Sequence, residues 1–119
     1  MSKILIVDDI QDTRELLLYH FRNAGFATAT ATDGREGFNL AIAEKPDVII
    51  TDVAMPNVDG YEMMRMLHTE PTTTKIPVVI FTAHESVTPE AVKETGAVKI
   101  FYKPFDLDEL VKNIKNLIQ

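Results

Sequence analysis

Cysteine is absent from the 119-residue sequence, which excludes disulfides, zinc-thiolate sites and thiol nucleophiles and permits a reducing compartment. No apolar run approaches the roughly 18 residues of a membrane span, and the N-terminus lacks the apolar core of a signal peptide. A cytoplasmic location without membrane insertion is therefore expected. Glycine-rich phosphate loops of the G-x-G-x-x-G or G-x-x-x-x-G-K type are missing, which argues against nucleotide binding. Positive charge is scarce: 12 Lys and Arg stand against 18 Asp and Glu, a net charge of −6. A nucleic-acid surface needs clustered cations against phosphate, so direct nucleic-acid binding is not expected. The length is too small for a β/α barrel of about 250 residues and fits one compact domain over residues 1–119, with no room for a receptor or DNA-binding module beside it. With 45% hydrophobic and 25% charged residues the chain is composed for a packed core rather than for disorder. Its chemistry falls to carboxylates, hydroxyls and lysines.

Short β-branched runs alternate with longer amphipathic ones. Ile4–Val7, Val48–Ile50, Val78–Phe81 and Val98–Phe101 read as strands, the first three as unbroken apolar runs of the kind found where both faces of a parallel sheet are covered. Phe26–Ala31 alternates Ala with Thr and fits either a strand or a loop. Helical periodicity covers residues 12–24, with Leu16, Leu17, Phe21 and Ala24 on one face and Gly25 as its stop. It covers 34–44 behind Asp33 as N-cap, with Phe38, Ala41 and Ile42 aligned, and 58–69, with Met63, Met64 and Leu67 aligned. It also covers 107–118 behind Asp106 and Glu109, and a short helix is predicted from Pro89 to Thr95. Strands alternating with helices imply right-handed βαβ crossovers and a parallel α/β sheet of five βα units. Gly37 inside the second helix has no purpose visible in the sequence.

The polar residues that end the strands carry the chemistry. Asp8 and Asp9 follow the first strand, Thr51 and Asp52 the third, Thr82 the fourth and Lys103 the fifth. Ligands of open parallel sheets bind beyond the carboxyl ends of the strands, so these side chains converge. Three carboxylates and one ammonium repel one another on balance unless a cation binds. Oxygen donors of this kind suit Mg²⁺ (or Mn²⁺), and a carboxylate beside a metal and a lysine can attack phosphorus. Singly, each residue has an ordinary explanation: Asp9 a helix cap, Asp52 a turn acid, Thr82 a strand-end hydroxyl, Lys103 a surface cation. Jointly, four strand ends with complementary chemistry favour a phosphoryl-transfer site.

The motifs Ile4-Leu5-Ile6-Val7-Asp8-Asp9, Asp47-Val48-Ile49-Ile50-Thr51-Asp52, Met55-Pro56-Asn57-Val58-Asp59-Gly60, Thr82-Ala83 and Lys103-Pro104-Phe105 resemble the receiver domain of two-component response regulators, as in CheY-like single-domain members. The resemblance implies a doubly wound (βα)5, flavodoxin-like sheet in the order 2-1-3-4-5 with helices on both faces. It implies that Asp52 accepts a phosphoryl group from a histidine kinase or histidine phosphotransfer protein. Asp8, Asp9, Asp52 and the backbone carbonyl of Ala54 would bind Mg²⁺. Thr82 would be the switch hydroxyl and Lys103 the cation for the phosphoryl group, with a cis Lys103–Pro104 bond. Such a protein assists its own Mg²⁺-dependent phosphorylation and dephosphorylation but is not a turnover enzyme. It acts as a monomer or weak dimer on a downstream protein that the sequence does not identify.

Several positions depart from the family pattern. Ile100 stands three residues before the lysine, where an aromatic ring usually swings inward, and Tyr102, of the same strand parity, is a stand-in. The connection from Thr82 to Gly96 is about one residue shorter than usual. Ala54 and His84, two beyond Asp52 and Thr82, are expected to influence dephosphorylation. Two other classes remain. An aspartyl-phosphate phosphatase would need an acid two residues after its nucleophile, where Ala54 stands, and a phosphorylation-independent interaction module would keep the fold without the switch.

Overall fold

Strand β1 (Lys3–Val7) shows why unbroken apolar runs become central strands here. Ile4 and Ile6 point into one core with Leu17, Phe21, Leu110 and Ile114, whereas Leu5 and Val7 point into another with Ala41, Met63, Met64 and Leu67. Alternate side chains leave opposite faces of a strand, and both faces are covered, so every residue of the run is apolar. The same holds for Val48–Ile50 of β3 (Val48–Thr51) and Val78–Phe81 of β4 (Val78–Thr82), and both strands are buried through their closing threonines.

The structure is a computed structural model that describes residues 2–53, 55, 57–83, 88–104 and 106–118, with the backbone alone at Ala91 and Val92. It contains one parallel sheet in the order β2-β1-β3-β4-β5, the order that the resemblance implied. The edge strands are β2 (Ala27–Ala31) and β5 (Lys99–Tyr102). Helices α1 (Gln11–Asn23) and α5 (Leu107–Ile118) cover one face. Helices α2 (Gly34–Glu44) and α3 (Gly60–Thr69) cover the other, and the short α4 (Pro89–Thr95) packs against α3.

The Ala/Thr segment is a strand, paired in register with β1 from Lys3↔Ala27 to Val7↔Ala31. Its small, half-polar residues suit an edge whose faces are only partly covered. The last strand starts one residue later than its apolar run, at Lys99, and Tyr102 completes the pairing with Thr82. Two residues assigned to buried helix faces are exposed: Leu16 at 49% and Ile42 at 37%. Neighbouring positions diverge by about 100° around a helix, and the sheet takes the stripe through Leu17 and Phe21 in α1 and that through Gly37 and Ala41 in α2. Gly25 follows α1 as expected, and Asp33 caps α2 by accepting from the Glu36 N–H at 2.9 Å. Gly37 gains a purpose. A Cβ there would lie 2.8 Å from Met63 Sδ and 3.0 Å from Val7 Cγ2, so the missing side chain lets α2 approach α3 and β1.

Candidate functional site

Backbone pairing continues past the strand ends and sets two acids side by side. The Asp8 N–H donates to the Ala31 carbonyl at 3.1 Å, and the Asp52 N–H donates to the Val7 carbonyl at 3.0 Å. Asp9 completes the cluster: one oxygen from each of Asp8, Asp9 and Asp52 lies within 4.8 Å of the others. Asp8 and Asp52 are buried, whereas Asp9 is exposed. Lys103 arrives from the end of β5, its backbone N–H held by the Thr82 carbonyl at 2.8 Å. Its Nζ lies 3.4 Å from Asp52 Oδ2 and 3.6 Å from Asp8 Oδ2. The same ammonium stands 4.8 Å above the centre of the Phe81 ring, whose face favours a cation. Thr82 is fully buried at the end of β4.

Each carboxylate is aimed by its neighbours. Asp8 Oδ1 accepts from the Ile10 N–H at 3.0 Å, and the Asp8 carbonyl accepts from Arg14 Nη1 at 2.9 Å. Asp52 Oδ1 accepts from the Val53 N–H at 2.6 Å, while Thr51 Oγ1 donates to the Asp52 carbonyl at 2.8 Å. The helix-cap explanation for Asp9 fails, since Ile10 occupies the N-cap of α1 without a side-chain cap bond. Asp52 is likewise no surface turn acid, being only 5% exposed.

The electrostatics favour a cation. Burial pushes the Asp8 carboxyl above its usual range, opposed by the Ile10 N–H and by Lys103 and reinforced by the Asp52 charge and the neighbouring Asp9. Asp8 Oδ2 is buried and has no hydrogen-bond partner among the described residues. An orphaned carboxylate oxygen facing two further acids fits a hard, oxygen-binding divalent ion, and Asp8, Asp9 and Asp52 could hold one.

Of the other positions singled out in the sequence, Ile100 and Tyr102 share one face of β5. Ile100 pairs with Ile80 and packs against the α2–α3 core, while Tyr102 pairs with Thr82 and is 39% exposed. Burial, then the Asp59 charge, then Tyr102 push the Tyr61 phenol above its usual range. Pro104 follows the cis Lys103–Pro104 bond and lines a groove of about 240 Å³ with Leu16, Leu17 and Leu107. Ala54 and His84 lie outside the described residues, as does Phe105. Sequence reasoning missed Phe81 and Arg14. Phe81 is recognisable as a lysine platform only once β4 and β5 are paired, whereas the position of Arg14, in the first turn of α1 and five residues after Asp9, was available.

The family profile described as "Response regulator receiver domain" matches residues 4–115. The response regulator MprA of Mycolicibacterium vanbaalenii is 36% identical over 118 residues, covering 98% of this chain and 50% of that protein. The regulatory protein AtoC of Escherichia coli is also 36% identical, over 120 residues that make up 26% of its length. The chain thus spans half or less of these two curated relatives. Among solved structures, the chemotaxis response regulator CheY4 of Vibrio cholerae superposes with a TM-score of 0.90 at 31% identity, covering 98% of both chains. With near-complete overlap at about a third identity, and acids at the strand ends that its profile spans, the chain belongs to the response regulator receiver domain family.

Proposed function

We propose that Asp52 is the phosphoacceptor of a receiver domain spanning residues 1–119, and that Asp8, Asp9 and Lys103 serve its reaction. One observation carries this reading: the buried Asp52 carboxylate has Oδ1 fixed by the Val53 N–H while Oδ2 faces Lys103 within the acid cluster. In the transfer, a carboxylate oxygen of Asp52 bonds to phosphorus as the bond to the donor's leaving group breaks. Lys103 pairs with the negative oxygens, and the Thr82 hydroxyl donates to one of them once the group is attached. A bound Mg²⁺ or Mn²⁺, held by the three acids and the Ala54 carbonyl, would supply the remaining neutralisation. The donor is a histidine kinase or histidine phosphotransfer protein, and the chain works in the cytoplasm on a protein partner, without membrane insertion or a nucleic-acid surface of its own. Among the described residues, no helix is long and apolar enough to cross a membrane.

The attached group adds nearly two negative charges beside Thr82 and Lys103, which biases the β4–α4 and β5 surface between two shapes. Ile100 is aliphatic and partly buried, so the proposed movement falls to Tyr102, the register partner of Thr82. A turnover phosphatase is disfavoured because residue 54 is alanine, with no acid to protonate a leaving group.

The test is intact-mass measurement with a small phosphodonor and Mg²⁺. The parent chain gains one phosphoryl group and Asp52→Asn gains none. Equal labelling of the two proteins overturns the assignment.

A further inference from the structure

We propose that Asp33 and Asn57 form a positioning clamp that holds the loop after Asp52 in register with the acid cluster. Asn57 has a left-handed backbone, with φ of 65°, a conformation that asparagine tolerates better than most residues. From there its Nδ2 reaches Asp33 Oδ2 at 3.3 Å, while Asp33 Oδ1 caps α2. Next to this contact the Gly34 N–H donates to the Val58 carbonyl at 2.8 Å. A Cβ at Gly34 would collide with the Val58 and Asp59 carbonyls, so the two turns meet backbone to backbone.

From the clamp, the chain runs through Asp59 to Gly60, and from Gly60 two hydrogen bonds reach the acceptor. Asp59 caps α3 by accepting from the Glu62 N–H, and Gly60, the first residue of α3, donates its N–H to the Val53 carbonyl at 2.9 Å. The Val53 N–H in turn fixes Asp52 Oδ1. A Cβ at Gly60 would overlap the Asp52 carbonyl, so helix α3 starts directly on the acceptor's backbone. The β2–α2 turn, which offers no ligand to the site, thereby limits where Asp52 and the start of its loop can lie. Asp33 and Asn57 are positioning residues and touch no reacting atom. The physical claim about the loop stands on these contacts alone, and its consequence for phosphorylation rests on the acceptor role of Asp52.

Two variants separate side-chain contact from backbone conformation. Asn57→Gly keeps access to positive φ but loses the amide, and Asp33→Ser keeps a capping oxygen but cannot reach Asn57. In metal-free protein, each is expected to speed amide exchange at Val53 and Gly60 about threefold to tenfold, leaving Ile6 and Ile50 in the sheet unchanged. The double variant should be no faster than either single, because both remove one contact. Each variant should also slow phosphodonor labelling at subsaturating Mg²⁺ by a similar factor. Unchanged exchange at Val53 and Gly60, equal acceleration at Ile6 and Ile50, or additive effects in the double variant overturn the clamp. Labelling of Asp52→Asn like the parent would overturn the acceptor role and leave the exchange result intact.

Discussion

Asp8 carries an unfavourable charge when no cation is bound. Its carboxyl is buried, one oxygen lacks a hydrogen-bond partner among the described residues, and Lys103 at 3.6 Å is shared with Asp52. A raised folded-state value means that ionisation opposes folding. The Asp8 contribution is therefore most favourable in acid and is lost as pH rises through that raised value. We predict that Asp8→Asn, which retains an acceptor for the Ile10 N–H, raises the metal-free thermal midpoint at neutral pH by about 4 °C, or about 1 kcal/mol. The difference between the two proteins should close as pH falls below the raised value. Millimolar Mg²⁺ should reverse the order, because the proposed metal site, intact only in the parent, gains stability by mass action when filled. Thermal melts across pH with and without Mg²⁺ check all three statements, and a metal-free variant no more stable than the parent at neutral pH contradicts the first. At this scale the sequence was most informative. Asp8, Asp9, Asp52 and Lys103 each come just after a strand that its apolar run reveals, so their meeting follows from topology, and Thr82 closes β4 with its carbonyl on the Lys103 N–H. The Phe81 platform and the Asn57–Asp33 contact depend on lateral register and on a left-handed residue, which single-chain periodicity does not encode.

Elements differ in how well their faces announced themselves. Central strands were legible because burial on both sides selects apolar runs, broken only by the threonines that close β3 and β4. The edge strand β2 was ambiguous for the opposite reason, since Ala and Thr satisfy a half-covered face and a loop equally well. Helices α1 and α2 were correctly located, but Leu16 and Ile42 show that apolar content overstates a buried stripe. Strand β5 matters most for the proposed switch. Tyr102 lies across from Thr82 with 39% exposure, and Ile100 is packed against the α2–α3 core. We predict that Tyr102→Ala leaves phosphodonor labelling within about twofold while removing most of the phosphorylation-induced change in amide exchange along β5. The scale follows from deleting a group that acts after the chemical step. An unchanged exchange response would assign the movement elsewhere. A parent protein with no response at all would favour the passive interaction module.

For the molecule as a whole, the family sets what must be supplied from outside. A receiver domain changes shape when phosphorylated, so the donor and the responding partner determine the signal. MprA and AtoC extend well past the matched region, which in each makes up half or less of the protein. The sheet that carries the site also partitions the interior. One core lies between the sheet and α1 with α5, and the other between the sheet and α2 with α3, and their buried members do not overlap. Truncations on opposite sides should therefore act independently. Leu67→Ala and Leu110→Ala are each expected to cost about 2–5 kcal/mol, and the double variant their sum within about 0.5 kcal/mol. Denaturant unfolding of the three proteins checks this, and a coupling above about 1 kcal/mol contradicts it. Such independence has an evolutionary meaning: either layer of helices can be repacked to suit a new neighbour without retuning the other. The strand-end acids lie at the rim where the two layers meet, so they can remain fixed while the surfaces that choose partners diverge.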